Sequence, residues 1–401
     1  MRWMWGLAAV FVLATPALGA DVGSRATWLS PDHNAAAFQG MEELFPSRRV
    51  RASAEVFPLR VAPKPIAPTY RFDGQARSLE DFIARNHVSG LLVLKGQDIL
   101  LERYALGADP DTRFVSFSMG KSVVSTLVGL ALADGKIASL KDPVAKYLPE
   151  VKGAAYEAAS IEDVLNMSSG TSFQEAYTDA NSGIAKFIGV FSRNQGGLYD
   201  FARQIPSGGA PGQVFNYASA DTEVLGMLVR RATGEPLADY LSRKVWAPMG
   251  AETEARWMLD GPGAAGAEVA AGGVLARLRD YGRFGLLFAR GGELSGHRIV
   301  PREWVADATR PHRPNLAPGK LGGRSQLGYG YQWWLAPDRP GREGLFMAIG
   351  IHGQYILVDR KRDLVIVKTA AWPTAGDAAL AEETYAFFDG VIDAVDRGTA
   401  R

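Results

Sequence analysis

Hydrophobic residues fall at strand spacing towards both ends of the chain and at helical spacing between them. "VSGLLVLKGQDILLERYALG" (88–107) predicts a hairpin: two β-rich runs flank the turn "KGQD", and the second run alternates. Just before it, "SLEDFIARN" (78–86) predicts a short capped helix. From Ser118 to Asp134 a long helix is expected, with Val124, Leu127, Val128 and Leu132 on one face and Gly135 after its end. Ser160 with Asp163 three residues on makes a capping-box start. "SADTEVLGMLVRRATG" (219–234) and "PLADYLSRKVWAPMG" predict further helices, and "VLARLRDYGRFGLLFARGG" another past Gly273. Strand patterns return over 329–372, where "DRKRD" joins the last two runs as a hairpin, and a final helix is expected over about 377–396.

The economical arrangement of these elements is an α/β one. One antiparallel sheet is built from 79–117 and 274–396 and flanked by helices, with a mostly helical lobe, 118–273, inserted between. Residues 21–78 are Pro-rich and weakly periodic, a lead-in expected to drape over the body rather than form core. Residues 1–20 read as an export signal, with one early Arg, an apolar run and small residues ending at Gly19 and Ala20. Cleavage near Ala20, a periplasmic or secreted protein and no stable membrane insertion after signal removal are the corresponding expectations.

Composition narrows the chemistry. Of 401 residues, 47% are hydrophobic, enough for a sizeable core. A net charge of +1 offers no electrostatic reason for a nucleic-acid partner. With no Cys there are no disulfides, thiol nucleophiles or thiolate metal sites. The five His are scattered without H-x-x-x-H spacing, so no metal is expected, and neither a P-loop nor a G-x-G-x-x-G calls for a cofactor. The G-x-S-x-G nucleophile elbow is missing too.

Three stretches could carry chemistry. In "FSMGKS", Ser118 and Lys121 are three residues apart at a helix start, on one face, so the amine can reach the hydroxyl. A lysine serves as base once desolvation lowers its pKa. The bland alternative is Ser118 as an N-cap and Lys121 in solvent. In "FNYASADTEVLG", Tyr217 and Ser219 precede a helix; a phenol near an ammonium can act as base, or Tyr217 packs and Ser219 caps. In "AIGIHGQYILVD" (348–359), Gly350 and Gly353 would let a backbone N–H approach a substrate, and His352 is either a polar cleft contact or structural.

The order S-x-x-K, then Y-x-S, then a Gly-rich strand resembles the serine β-lactamase-like, penicillin-recognising superfamily. Within it, the chain most resembles the 6-aminohexanoate-dimer hydrolases and related esterases. "IEDVLNMSSG", "AAGGVLARLRDYGRFGLLFARGG", "YGYQWWL" and "GQYILVD" extend the likeness over most of residues 80–390. The resemblance implies a β-lactamase/transpeptidase-like fold and an acyl-enzyme on Ser118, with Lys121 and Tyr217 as the proton-transfer pair. It implies an oxyanion hole from the Ser118 and Ile351 N–H groups, substrate contacts from Tyr177 and Trp334, and Ser219 as a hydrogen-bonding partner; with the cleft reading of His352, these four are the expected substrate-binding residues. The implied partner is a small-molecule amide or ester. Two departures stand out: the second motif ends in Ser219 rather than Asn, and "IHGQ" replaces K-T-G. Both argue against efficient β-lactamase activity. "KTA" at Lys368 lies one hairpin too late. A D-Ala-peptidase or β-lactamase and a non-catalytic binding protein on the same fold are the alternatives.

Overall fold

A computed structural model of the protein describes residues 21–322 and 325–399. The expected signal segment lies outside the described residues. Its centre is the hairpin β1 (Val88–Lys95) and β2 (Asp98–Tyr104), continued by β3 (Phe346–Gly350), β4 (Gln354–Asp359) and β5 (Leu364–Ala370) from the far end of the chain. Starting at one edge, the eight-stranded order is Gly328–Tyr329, Trp334–Leu335, β3, β4, β5, β1, β2 and Arg60–Val61. Every pairing is antiparallel except the last.

Successive strand side chains point to opposite faces, and both faces here are covered. On β1, Leu92 and Leu94 join the main core while Leu91 and Val93 join a second cluster. Helix α1 (Leu79–Arg85) packs on that second face, held by a Ser78–Asp81 capping box of the sort worth about 1 kcal/mol. The middle of the chain supplies α2 (Met119–Ala133), α3 (Ser219–Thr233) and α4 (Leu278–Ala289), with α4 against β1, β4 and β5. The terminal helix α5 (Ala378–Thr399) completes the second face with Phe387, Phe388, Val391 and Ile392. No helix among the described residues is long and apolar enough to cross a membrane.

Two local expectations are corrected. Val274–Arg277 is a strand, and the helix begins at Leu278. A three-residue apolar run, Val274–Ala276, cannot be assigned by periodicity, and here its partners are Ala255–Met258 and, far back in the chain, Arg113–Val115. With Ser47–Val50 they form a second, four-stranded sheet. The lead-in, moreover, is not merely draped. Trp28, Phe38, Met41, Phe45 and Phe57 are buried in the main core, because large aromatic residues take cover even where backbone periodicity is weak.

Candidate active site

The second sheet and α2 meet at Phe117, whose φ of 43° is left-handed, an uncommon conformation for a bulky residue. Through this bend the chain passes from Arg113–Val115 into α2 and brings Ser118 to the helix start. The bend is crowded by backbone. A Cβ on Gly272 would lie 2.9 Å from the Phe117 carbonyl, and one on Gly350 would lie 2.7 Å from the Ser116 oxygen and 3.1 Å from the Ser118 nitrogen. Glycine at these two positions therefore allows the end of β3 to sit against the backbone of Ser116–Ser118.

The Ser118 side chain caps nothing, so the N-cap explanation for it falls. Instead its Oγ lies 2.7 Å from Lys121 Nζ. Lys121 is buried inside α2 and donates to Ser219 Oγ at 3.1 Å and to the Ala271 carbonyl at 3.0 Å. Ser219 does not cap α3 either; its hydroxyl donates to Glu175 Oε1 at 2.7 Å, and its N–H donates to Oε2 at 3.0 Å. The Tyr177 hydroxyl donates to the same Oε1 at 2.8 Å.

Counting donors orients the lysine. Ser219 has spent its single proton on Glu175, and a carbonyl oxygen can only accept, so Lys121 must give one proton to each. The remaining tetrahedral position on Nζ faces Ser118 Oγ. In the ammonium it holds a third proton; in the neutral amine it is a lone pair aimed at the Ser118 hydroxyl. Burial favours the amine and lowers the Lys121 pKa to about 8, with the charges of Glu175, Glu223 and Asp221 opposing.

Tyr217 is poised differently. Its phenol interacts with Ser118, its ring lies 5.0 Å from Lys121 Nζ, and it stacks on Trp334 at 5.3 Å. Burial, reinforced by the Glu175 charge, pushes its pKa far above the ordinary 10. The phenol is therefore protonated in the resting site. The short turn Ile351–Gly353 follows β3, and neither the Ser118 nor the Ile351 N–H finds an acceptor among the described residues. Two adjacent free donors beside a serine are what a developing oxyanion requires.

A family comparison identifies the chain that carries this constellation. The Beta-lactamase family matches residues 76–387. The chain belongs to that family. It is a serine hydrolase of the amidase and esterase kind, on the β-lactamase/transpeptidase-like fold. The 6-aminohexanoate-dimer hydrolase of Paenarthrobacter ureafaciens is 31% identical over 369 residues, 89% of this chain and 90% of that protein. A Bacillus anthracis protein named as a 6-aminohexanoate-dimer hydrolase superposes with a TM-score of 0.82 at 21% identity, over 93% of this chain and 97% of that one. A family VIII carboxylesterase superposes at 0.59 with 19% identity, over 79% and 96%. These two structural likenesses speak to the fold.

Two cavities flank Ser118 in this β-lactamase-family site. Both include Ser118, Tyr177 and Ile351 in their walls. One is narrow, about 60 Å³, and includes Trp28 and Phe187; the other, about 400 Å³, includes Glu175, Tyr217 and Trp334. Of the residues expected at the site, Ser118, Lys121, Tyr177, Tyr217, Ser219, Trp334 and Ile351 therefore gather around one point.

His352 does not join them. Its ring is buried against Phe38 and Phe117, its Nδ1 is 2.7 Å from the Trp372 carbonyl, and it lines neither cavity. Desolvation lowers its pKa to about 4, so it is a neutral packing residue in place of the expected cleft contact. The left-handed φ of 57° at His352 turns its side chain off the β3 face.

Two carboxyl groups went unnoticed in the sequence. Glu175 is a lone acid on a loop, with no spacing signal beyond its closeness to Tyr177. Glu223 is buried on α3 and accepts the Ala271 N–H at 2.8 Å, on the residue whose own carbonyl, in the next peptide group, accepts from Lys121. Burial raises its pKa to about 8.

Proposed function

We propose that the protein hydrolyses small amides or esters through an acyl-enzyme on Ser118, with Lys121 as the general base. The observation that carries this reading is the donor count at Lys121, which leaves one tetrahedral position, and that one faces the serine hydroxyl at 2.7 Å. Neutral Lys121 takes the Ser118 proton as Oγ bonds to the substrate carbonyl carbon, and the oxyanion is held by the Ser118 and Ile351 N–H groups. Collapse breaks the bond to the leaving nitrogen or oxygen, which takes a proton from Tyr217, and Tyr217 is reprotonated by Lys121. Water then attacks the ester, giving one proton to Lys121, which returns it to Ser118 as the acid leaves.

The name of the 31%-identical relative supports a linear amide as one substrate form. The strand that would carry K-T-G reads Ile351-His352-Gly353-Gln354, which supplies no cation for the carboxylate of a β-lactam or D-Ala peptide. The early Arg, apolar run and small residues of 1–20 support export to the periplasm or beyond; N-terminal sequencing of the mature protein tests this. The hydrolase reading is tested by intact mass after a fluorophosphonate and after penicillin, together with 4-nitrophenyl acetate turnover. An adduct on Ser118 and turnover of the acetate are expected. Stable penicillin acylation without ester turnover would favour a cell-wall enzyme, and no adduct with either reagent would leave a non-catalytic binding protein.

A further inference from the structure

We infer that the narrow cavity beside Ser118 receives the acyl half of the substrate, and that this acyl group is uncharged and apolar. The inference rests on the acyl-enzyme reading above and narrows its substrate class. Tyr217, the protonated group able to supply the leaving atom, lines the broad cavity and not the narrow one. The leaving group must therefore depart into the broad groove, and the acyl chain occupies the opposite side of the scissile bond.

That opposite side has hydroxyls from Ser118, Tyr177 and Ser219 but no carboxylate in its wall. Trp28, Leu29, Ile184, Phe187, Ile188 and Val269 contribute to its wall, and the Tyr177 phenol is the sole ionisable group there. The phenol already donates to Glu175. An ammonium placed in this wall would lose its water with no carboxylate in return, a cost far larger than any gain from its methylenes. The wall is also firmly built. Trp28 stacks on Phe117 at 6.1 Å, meets Phe191 edge-on at 6.2 Å, and donates its indole N–H to Ser192 at 3.4 Å. The N-terminal segment, unremarkable in sequence, thus supplies a specificity wall to a site built by residues a hundred positions later. A linear 6-aminohexanoate dimer, the substrate named for the relative, has an acyl half that ends in an ammonium, so this chain should accept it poorly.

The test compares 4-nitrophenyl heptanoate with 4-nitrophenyl 6-aminohexanoate, which differ by a terminal methyl against an ammonium, with 4-nitrophenyl acetate as a reference that needs no pocket. After subtraction of the enzyme-free rate, kcat/KM should favour the heptanoate by on the order of 10²-fold or more. In Leu29→Asp, which adds a carboxylate to a half-buried position on the wall, that ratio should fall at least about tenfold. Acetate turnover with a wild-type ratio near one overturns the pocket assignment alone, as does a ratio unmoved in folded Leu29→Asp. Should Leu29→Asp fail to fold, the wild-type ratio still decides. Absence of acetate turnover and of a fluorophosphonate adduct overturns the hydrolase reading, and the assignment with it.

Discussion

Among the described residues two lysines are fully buried, and only one is equipped to react. Lys121 and Lys368 share a cause: desolvation lowers both pKa values, to about 8 for Lys121 and well below the ordinary 10.5 for Lys368. Their surroundings differ. Lys121 meets two hydroxyls and a carbonyl, one of the hydroxyls open to two cavities. Lys368 on β5 sits among the rings of Trp372, Tyr355 and Phe82 at 4.5, 5.2 and 5.8 Å, with the Gly353 carbonyl at 3.2 Å as its hydrogen-bond partner. A depressed amine pKa is thus a product of burial alone. Catalytic competence needs, besides, an acidic proton in line with the lone pair and a space for substrate beside it.

The contrast can be broken at its strongest point first. Ser118→Ala should lower 4-nitrophenyl acetate turnover by on the order of 10⁴–10⁶-fold and abolish fluorophosphonate labelling, read by intact mass. Residual turnover within about tenfold of wild type would place the nucleophile elsewhere. Next, Lys121→Met should cost on the order of 10²–10⁴-fold in kcat, the usual range for a lost general base, with the fold intact by circular dichroism.

A subtler handle is Glu175, whose charge raises the Lys121 pKa. In the wild type, kcat/KM should climb with pH through a midpoint near 8 as Lys121 becomes neutral. Glu175→Gln should move that acid limb to lower pH and, through the weakened Ser219 contact, cost about tenfold at the plateau. A limb that stayed in place or moved upward would show that Lys121 is not the group titrating.

The smallest expected effect is at Lys368. Lys368→Met should change turnover by less than about fivefold, since its hydrogen bond is to the carbonyl of Gly353, the last residue of the turn, and not to the Ile351 N–H. Its signature is in stability. Because the folded-state pKa is below the unfolded one, the unfolded chain binds more protons between the two values, and wild-type stability rises with pH across that window up to about 10.5. Lys368→Met should flatten that rise in urea titrations at pH 7 and pH 10. An unchanged slope would mean that Lys368 is solvated in the folded protein.

Much of the frame was legible because it is written in local chemistry. The 88–107 hairpin, the Ser78 and Ser160 capping boxes and the α2 periodicity each need only neighbours within a few residues. The order of Ser118, Lys121, Tyr217 and Ser219 was legible for the same reason, since motifs are short. What escaped was the pairing of remote short runs. The Val274–Arg277 strand makes sense only beside Arg113–Val115, and Trp28 only beneath Phe117 and Phe191. Ser219 shows the boundary most clearly. As a residue before a helix it is a good cap, yet its hydroxyl is given to Glu175 and Lys121.

By itself, the amino-acid sequence determined the family frame, the serine and the lysine one helical turn away, because both are consequences of spacing along the chain. Tertiary structure alone decided that Lys121 is buried against two hydroxyls and a carbonyl, that Tyr217 keeps its proton, that His352 turns away, and that an N-terminal tryptophan walls the site. Each depends on desolvation and on hydrogen-bond partners brought together from distant segments, and neither is a property of any stretch of sequence.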